Sequence, residues 1–296
     1  YTTNKESGFG PAWINSLFED NAEHGLGMQI GYETVRANLI TKVEALKGKN
    51  ADLDAVIDKY LETKNNTKAN DAPAKALIAA LEACGCDESK EILKDKQYLA
   101  KKSFWIFGGD GWAYDIVYSN TGGQASKASN IGEVCQFAAA GKEISKKSLA
   151  EICMTYGYIY VAQIALGANM AQAVKAIAEA EAYPGPSIII GYAPCELHGV
   201  KGGMTNCQNE MKKAVEAGYW NLFTFNPALK AEGKNPFTLT SKAGKMDKYQ
   251  EFLANETRYS RLSRAFPDRA KALFEKNQEA AEARYTHLTK LVDLYK

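Results

Sequence analysis

The sequence predicts an α/β protein with a mainly parallel sheet flanked by helices and a long C-terminal helix. Two apolar segments, 158–162 and 187–191, flank a helical pattern over 169–182, which is the order of a parallel β-α-β unit. Both segments are almost continuously hydrophobic, as strands covered on two faces must be. The tail, 268–296, places leucines at helical spacing among charged residues, which predicts the terminal helix.

The first part of the chain is predicted to be helical. Apolar residues recur at helical spacing over 27–47, 51–62 and 72–84, with Asp and Lys on the intervening faces, so we expect amphipathic helices. The polar stretch 64–73 ends in Pro73 and predicts a loop. The short apolar segment 103–107 is followed by Gly-Gly-Asp-Gly and predicts a further strand of the sheet.

Composition and charge exclude several classes of function. The 296 residues include 36 Lys and Arg against 35 Asp and Glu, and a net charge of +1 does not favour nucleic acid or an anionic membrane as a partner. The longest apolar runs are far below the roughly 20 residues of a membrane span, and the first residues have no signal-peptide pattern. These features predict a soluble intracellular protein, whose six cysteines are reduced thiols or metal ligands.

The string Gly-Gly-Asp-Gly at 108–111 follows a predicted strand. A carboxylate between glycines at the carboxyl edge of a parallel sheet favours a diphosphate with Mg²⁺, for which Asp110 is the candidate ligand. Asp-Gly is also a common tight-turn dipeptide, so the motif alone leaves both interpretations open. A dinucleotide-binding loop is less favoured, because G-x-G-x-x-G begun at Gly109 requires a glycine where Tyr114 stands.

Longer strings extend this pattern along the chain. They are PAWINSLFEDNAE (11–23), WIFGGDGWAYDI (105–116), VYSNTGGQ (117–124), GYAPC (191–195), EAGYW (216–220) and FNP (225–227). In this order they resemble the C-terminal thiamin-diphosphate-binding domain of the pyruvate:ferredoxin (flavodoxin) oxidoreductases. The resemblance implies a thiamin-diphosphate-binding fold, with a cofactor domain over 1–221 and a C-terminal extension over 222–296.

The resemblance implies roles for individual residues. The residues that contact thiamin diphosphate are Gly109, Asp110, Gly111, Trp112, Val117, Tyr118, Ser119 and Asn120. Among them, Asp110 and the backbone carbonyl of Val117 are implied Mg²⁺ ligands, and Asn120 is the implied catalytic residue. An amide beside the reacting carbon of the cofactor can donate to the alkoxide that forms from the 2-oxoacid. Thiamin diphosphate itself supplies the electron sink for decarboxylation.

Cys195 follows the predicted strand 187–191. By residue type alone, a cysteine in this position is more often a buried thiol than a metal ligand. Through the resemblance it is the last of four thiolate ligands of a 4Fe–4S cluster, with the other three upstream. Together with His198 and Cys207 it is also a candidate for zinc, but the spacing does not supply the fourth ligand of a tetrahedral site.

The remaining cysteines are interpreted without a cofactor. Cys84 and Cys86 are separated by one residue between polar stretches and are not a C-x-x-C redox pair. Cys135 and Cys153 lie in apolar, helical patterns and are expected to be packing residues.

The implied reaction is oxidative decarboxylation of pyruvate with coenzyme A to acetyl-CoA and CO₂, with electrons passed through Fe–S clusters to ferredoxin or flavodoxin. The expected protein is a homodimer, located in the cytoplasm or in an anaerobic organelle of a eukaryote. The remaining domains of the same enzyme are expected to complete the active site. We therefore expect this chain to be a portion of a longer protein. Another 2-oxoacid oxidoreductase of the same superfamily, and a non-catalytic assembly module derived from it, remain as alternatives.

The spacing within the cofactor motif departs from the family. Only nine residues separate Asp110 from Asn120. A return to the same edge of a parallel sheet needs a crossover of at least about 10 to 12 residues before the next strand. The family has a strand and a Mg²⁺-binding Thr at this place. The sequence therefore predicts that Ile116 and Val117 are not bonded neighbours in the native chain.

Overall fold

The computed structural model describes residues 21–109, 125–196 and 198–296. Most of the predicted cofactor residues fall within 110–124 and lie outside the described residues. The chain divides into two compact units, one ending at Gly108 and the other beginning at Gly109.

The described part of the first unit is helical. Its elements are α1 (Asn21–Glu44), α2 (Ala51–Thr63), α3 (Thr67–Cys84), α4 (Asp87–Leu93) and a 3₁₀ helix at Lys96–Tyr98. Their apolar faces enclose a core that includes Leu39, Ile57, Tyr60 and Leu77, each at most 2% exposed. The three predicted helices are therefore confirmed, although the first half of α1 exposes the apolar residues Leu26, Met28 and Ile30.

The predicted loop over 64–73 is wrong for most of its length. Helix α3 starts inside it because Asn66 caps the helix, its side-chain oxygen accepting from the Ala69 N–H at 2.8 Å. Pro73 is buried in the interior of the same helix. Pro73 therefore lies within helix α3 and does not end a loop between two helices.

The predicted strand over 103–107 is not formed. None of the strands in the described residues pairs with this segment, and it has no regular secondary structure. The Phe104 ring instead lies 5.4 Å from the Tyr32 ring of α1, while Phe107 is 70% exposed. An apolar run predicts a strand only where a neighbouring strand supplies its hydrogen bonds.

The described part of the second unit contains a four-stranded sheet in the order β2-β1-β3-β4. The strands are β1 (Tyr160–Ile164), β2 (Ser187–Gly191), β3 (Phe223–Phe225) and β4 (Phe237–Leu239). Strands β1 and β2 are parallel, whereas β3 is antiparallel to both β1 and β4. The α/β class is confirmed, and the described sheet is mixed rather than mainly parallel.

Helices surround this sheet. They are α5 (Leu149–Thr155), α6 (Met170–Ala182), α7 (Cys207–Glu216), α8 (Tyr249–Asn255), α9 (Thr257–Ala265) and α10 (Pro267–Leu294). Helix α6 is the crossover of the predicted β-α-β unit, which is confirmed. Helix α10 is the predicted terminal helix, and it buries Leu273, Phe274, Leu288 and Leu291. No helix in the described ranges combines the length and apolar content needed to cross a lipid bilayer.

The core of the second unit has one aromatic-rich cluster beyond the carboxyl end of β2. It contains Tyr192, Trp220, Tyr249, Phe252 and Tyr259. A second cluster packs Phe223 of β3 against Leu288 of α10. The predicted division at residue 221 stays a prediction, and strands on both sides of it share one sheet.

Candidate functional site

Of the predicted cofactor residues, the structure describes Gly109 and Cys195. Asp110, Gly111 and Trp112 lie outside the described residues, as do Val117, Tyr118, Ser119 and Asn120. Gly109 is exposed, and a Cβ atom added to it would meet no described atom within 4 Å.

The chain after β2 is fixed in place by Tyr192. The Tyr192 amide donates to the carbonyl of Ile164 at 3.0 Å and so extends the pairing of β2 with β1. Its buried hydroxyl donates to Glu256 Oε1 at 2.7 Å, and its ring lies 5.6 Å from that of Trp220. Cys195 therefore follows an anchored aromatic residue by three positions.

The far side of the Cys195 loop is tied to the turn between α8 and α9. The Lys201 amide donates to the Asn255 carbonyl at 2.8 Å, and the Thr257 amide donates to the Gly199 carbonyl at 3.2 Å. Gly199 has a φ of 77°, a conformation that favours glycine. The loop is thus held at both ends by backbone hydrogen bonds, which fixes the position of the thiol.

The Cys195 thiol lies beside an imidazole. His198 Nδ1 is 3.1 Å from Cys195 Sγ, and both side chains are half-buried. The hydrogen bond from His198 lowers the pKa of the Cys195 thiol, against the opposing effect of burial. Hydrogen bonding with Cys135 and then with Cys195 raises the pKa of His198 to about 9. The arrangement favours a thiolate, which is the form that ligates iron.

The structure brings together only two of the three candidate zinc ligands, Cys195 and His198. The C-x-x-H spacing does bring Cys195 and His198 together, as the sequence allows. Within the described ranges, however, no three His, Cys, Asp or Glu side chains are placed to hold one metal ion. Cys207 lies at the start of α7 as a free thiol.

Cys135 and Cys153 were predicted to be packing residues. Cys153 lies in α5, and burial raises the pKa of its thiol, as expected for a packing residue. Cys135 is 6% exposed, which confirms its burial. The predicted helical pattern around Cys135 is wrong, because Cys135 pairs with Ala138 in an isolated antiparallel bridge.

A buried ionic network lies next to this loop. Arg258 donates through Nε to Glu256 Oε2 at 3.2 Å and through a terminal nitrogen to Glu133 Oε1 at 3.5 Å. The side chains of Glu133, Glu256 and Arg258 are 4%, 1% and 14% exposed. Burial lowers the pKa of Arg258, but the negative charges around it outweigh that effect and the net pKa is raised. The Arg258 guanidinium thus forms ion pairs with two buried carboxylates.

Tyrosine hydroxyls complete the hydrogen bonding of these carboxylates. The Tyr259 hydroxyl donates to Glu133 Oε1 at 3.1 Å, and the Tyr219 hydroxyl lies 3.3 Å from the same oxygen. Burial raises the pKa of both phenols well above the usual value, so they remain neutral donors. The network joins the turn before α9 to the loop that carries Cys195, through the bond from Tyr192 to Glu256.

Sequence reasoning did not find this network. Glu133 stands in the otherwise apolar or small stretch Ile-Gly-Glu-Val-Cys, and an acidic residue in such surroundings is a signal for a buried partner. Arg258 gives no comparable signal, because its own helix α9 contains two further arginines and two serines. Its partner could therefore be identified only from the fold.

Comparisons with known proteins show strong similarity to one kind of enzyme, although no protein-family model matches the chain. A pyruvate-flavodoxin oxidoreductase of Klebsiella pneumoniae is 42% identical over 98% of this chain and 27% of the relative. A pyruvate:ferredoxin oxidoreductase of Moorella thermoacetica is 44% identical over 99% of the chain and 27% of the relative. A mitochondrial pyruvate dehydrogenase (NADP+) of Euglena gracilis is 39% identical over 99% of the chain and 18% of the relative.

The matches to these relatives are longer than the chain itself. The Klebsiella and Moorella comparisons extend over 320 and 325 residues, which exceeds the 296 residues of this chain by 24 and 29. At least that many positions of the comparison therefore have no residue in this chain. The chain also spans only about a quarter of the length of these two relatives. Over almost its full length, the chain is thus a homologue of one segment of the pyruvate-flavodoxin and pyruvate:ferredoxin oxidoreductases.

Proposed function

We propose that the chain is the thiamin-diphosphate-binding portion of a pyruvate:ferredoxin or pyruvate:flavodoxin oxidoreductase. The observation that carries the proposal is identity of 42 to 44% over 98 to 99% of the chain with enzymes of these names. The α/β fold is consistent with that role. In this proposal 1–221 is the cofactor domain and 222–296 an extension.

In the proposed site, Gly109 to Trp112 hold the diphosphate and Asp110 ligates Mg²⁺. Val117 adds a backbone carbonyl to the metal, and Tyr118 and Ser119 contact the cofactor. Thiamin diphosphate, when bound, supplies the nucleophile for the keto carbon and the electron sink for loss of CO₂. Asn120 donates its amide N–H to the developing negative charge on the substrate oxygen.

The proposed role of Cys195 is to provide a thiolate to a 4Fe–4S cluster. The tethered loop, the half-buried position and the hydrogen bond with His198 all fit a ligating sulfur. Hydrogen bonds to cluster sulfurs are one means by which a protein sets the reduction potential. The electrons then pass to ferredoxin or flavodoxin, and coenzyme A accepts the acetyl group. The other domains and a second protomer complete this cytoplasmic or organellar enzyme.

Replacement of Asp110 by Ala in the complete enzyme is expected to abolish Mg²⁺-dependent binding of thiamin diphosphate while leaving the fold intact. The variant loses an oxygen ligand of Mg²⁺, and a substitution outside a packed core costs little stability. Calorimetric titration with thiamin diphosphate and Mg²⁺ measures the effect, with Asp71→Ala on the surface of α3 as the control. Unchanged affinity in Asp110→Ala would reject the assignment. Absence of binding by the unaltered enzyme would favour the assembly module.

A second prediction concerns the stretch between the two halves of the cofactor motif. The native protein is expected to contain additional residues between Ile116 and Val117. The matches to relatives are longer than this chain, which is consistent with additional residues at some place within it. Trypsin cleaves after Lys102 and Lys127 and at no site between them, so the stretch 103–127 is released as one peptide. Mass spectrometry of the native protein should not find that peptide with the mass of the present sequence. Its detection with that mass would show that the two residues are bonded.

A further inference from the structure

Two cysteines meet at the junction of α3 and α4. Cys84 is the last residue of α3, and Cys86 immediately precedes α4. Gly85 between them adopts the left-handed conformation with a φ of 63°, which reverses the chain at low cost. The turn brings Cys84 Sγ to within 3.1 Å of Cys86 Sγ, and both are free thiols.

The surroundings of the two thiols differ. Cys84 is exposed, whereas Cys86 is half-buried and donates to Ser89 Oγ at 3.1 Å. Hydrogen bonding by Ser89, followed by the Cys86 amide, lowers the pKa of the Cys84 thiol. Lys49 forms an ion pair with Glu88 at 2.6 Å, and its ammonium group is close enough to interact with both sulfurs. The lowered pKa favours the thiolate of the exposed Cys84.

We propose that Cys84 and Cys86 form a reversible redox site that exchanges with low-molecular-weight disulfides. Cys84 thiolate attacks one sulfur of the reagent, forms a mixed disulfide and releases one thiolate. Cys86 then attacks Cys84 Sγ, the bond to the reagent breaks, and a second thiolate leaves and takes up the proton of Cys86. One protein thiolate and one protein thiol are oxidised to a disulfide, and one reagent disulfide is reduced to one thiolate and one thiol.

The structure supports a division of roles between the two cysteines. The exposed position of Cys84 gives a reagent access, while the half-buried Cys86 is already in contact with the sulfur that it must attack. Because helices α3 and α4 pack in a common core through Leu81 and Ile92, the folded chain holds the two sulfurs together. An unfolded peptide must instead lose conformational entropy to do so. The proposal does not depend on the function assigned above.

The test uses the folded chain and glutathione. The reduced chain is equilibrated with mixtures of reduced and oxidised glutathione, quenched in acid, alkylated and digested with trypsin. Cleavage after Lys75 and Lys90 releases 76–90, which contains Cys84 and Cys86 and none of the other cysteines. The oxidation equilibrium constant for the folded chain is expected to exceed that of the synthetic peptide 76–90 by on the order of tenfold. An equal constant, or no disulfide in the folded chain, would overturn the proposal.

Two variants test the order of attack. Cys86→Ser is expected to retain glutathione on Cys84, because the second step is blocked. Cys84→Ser is expected to retain much less, since Cys86 is half-buried. Equal retention by the two variants would contradict the assigned roles. Cys207→Ser is the matched control, and it should leave the oxidation of 76–90 unchanged.

Discussion

In the complete enzyme, replacement of Cys195 by Ala is expected to remove the iron of one 4Fe–4S cluster and to stop electron transfer to the acceptor. Each thiolate of a four-cysteine site carries part of the binding energy of the cluster, and an alanine offers no ligand in its place. Decarboxylation of pyruvate should be less affected, because that step depends on the thiamin cofactor and on Asn120. The expected variant therefore releases CO₂ while ferredoxin or flavodoxin stays oxidised.

Iron and sulfide content, together with the electron paramagnetic resonance of the reduced clusters, measure this loss independently of turnover. Cys207→Ala is a suitable control, since Cys207 is also a half-buried free thiol that follows a loop of the second unit. The control should keep its full iron content. Full iron content in Cys195→Ala would show instead that Cys195 is a packing residue.

Replacement of Arg258 by Met is expected to lower the free energy of unfolding by about 3 to 5 kcal/mol. Glu133 and Glu256 are almost fully buried, and Arg258 forms an ion pair with each of them. Removing one member of such a network leaves buried charge without compensation, even though the tyrosine hydroxyls still donate to the carboxylates. Methionine keeps the length of the apolar part of the side chain, so lost packing contributes little.

Chemical denaturation of the purified chain, followed by circular dichroism, measures this change. The matched control is Arg269→Met, because Arg269 pairs with Glu143 at 2.5 Å but is 41% exposed. Surface pairs of this kind contribute at most about 1 kcal/mol. A loss in Arg258→Met no larger than in the control would mean that the buried network contributes no more than a surface ion pair.

The β-α-β unit and the terminal helix could be predicted because hydrophobic periodicity reports burial directly. Strand 187–191 was predicted with the bounds that the structure shows. The segment 103–107 has the same apolar character and is not a strand, because periodicity says nothing about whether a neighbouring strand is present. The start of α3 depends on one cap, Asn66, which a polar loop pattern conceals.

Contacts between residues that are close in sequence could be predicted, whereas contacts between residues that are far apart in sequence could not. Cys195 and His198 are three positions apart, and their contact follows from local turn geometry. Arg258 and Glu133 are separated by 125 positions, so only the tertiary structure brings them together. Cys84 and Cys86 were set aside because C-x-C is not the usual redox spacing, yet the left-handed Gly85 places their sulfurs in contact.

Turnover of pyruvate and 2-oxoglutarate, measured side by side with the purified complete enzyme, tests the proposed function most directly. Each 2-oxoacid is supplied with coenzyme A, thiamin diphosphate, Mg²⁺ and ferredoxin or flavodoxin under anaerobic conditions, and reduction of the acceptor is followed. We predict coenzyme A-dependent reduction with pyruvate and much slower reduction with 2-oxoglutarate. Preference for 2-oxoglutarate would assign another oxidoreductase of the superfamily. Reduction with neither acid, in an enzyme loaded with its cofactors, would contradict a catalytic role.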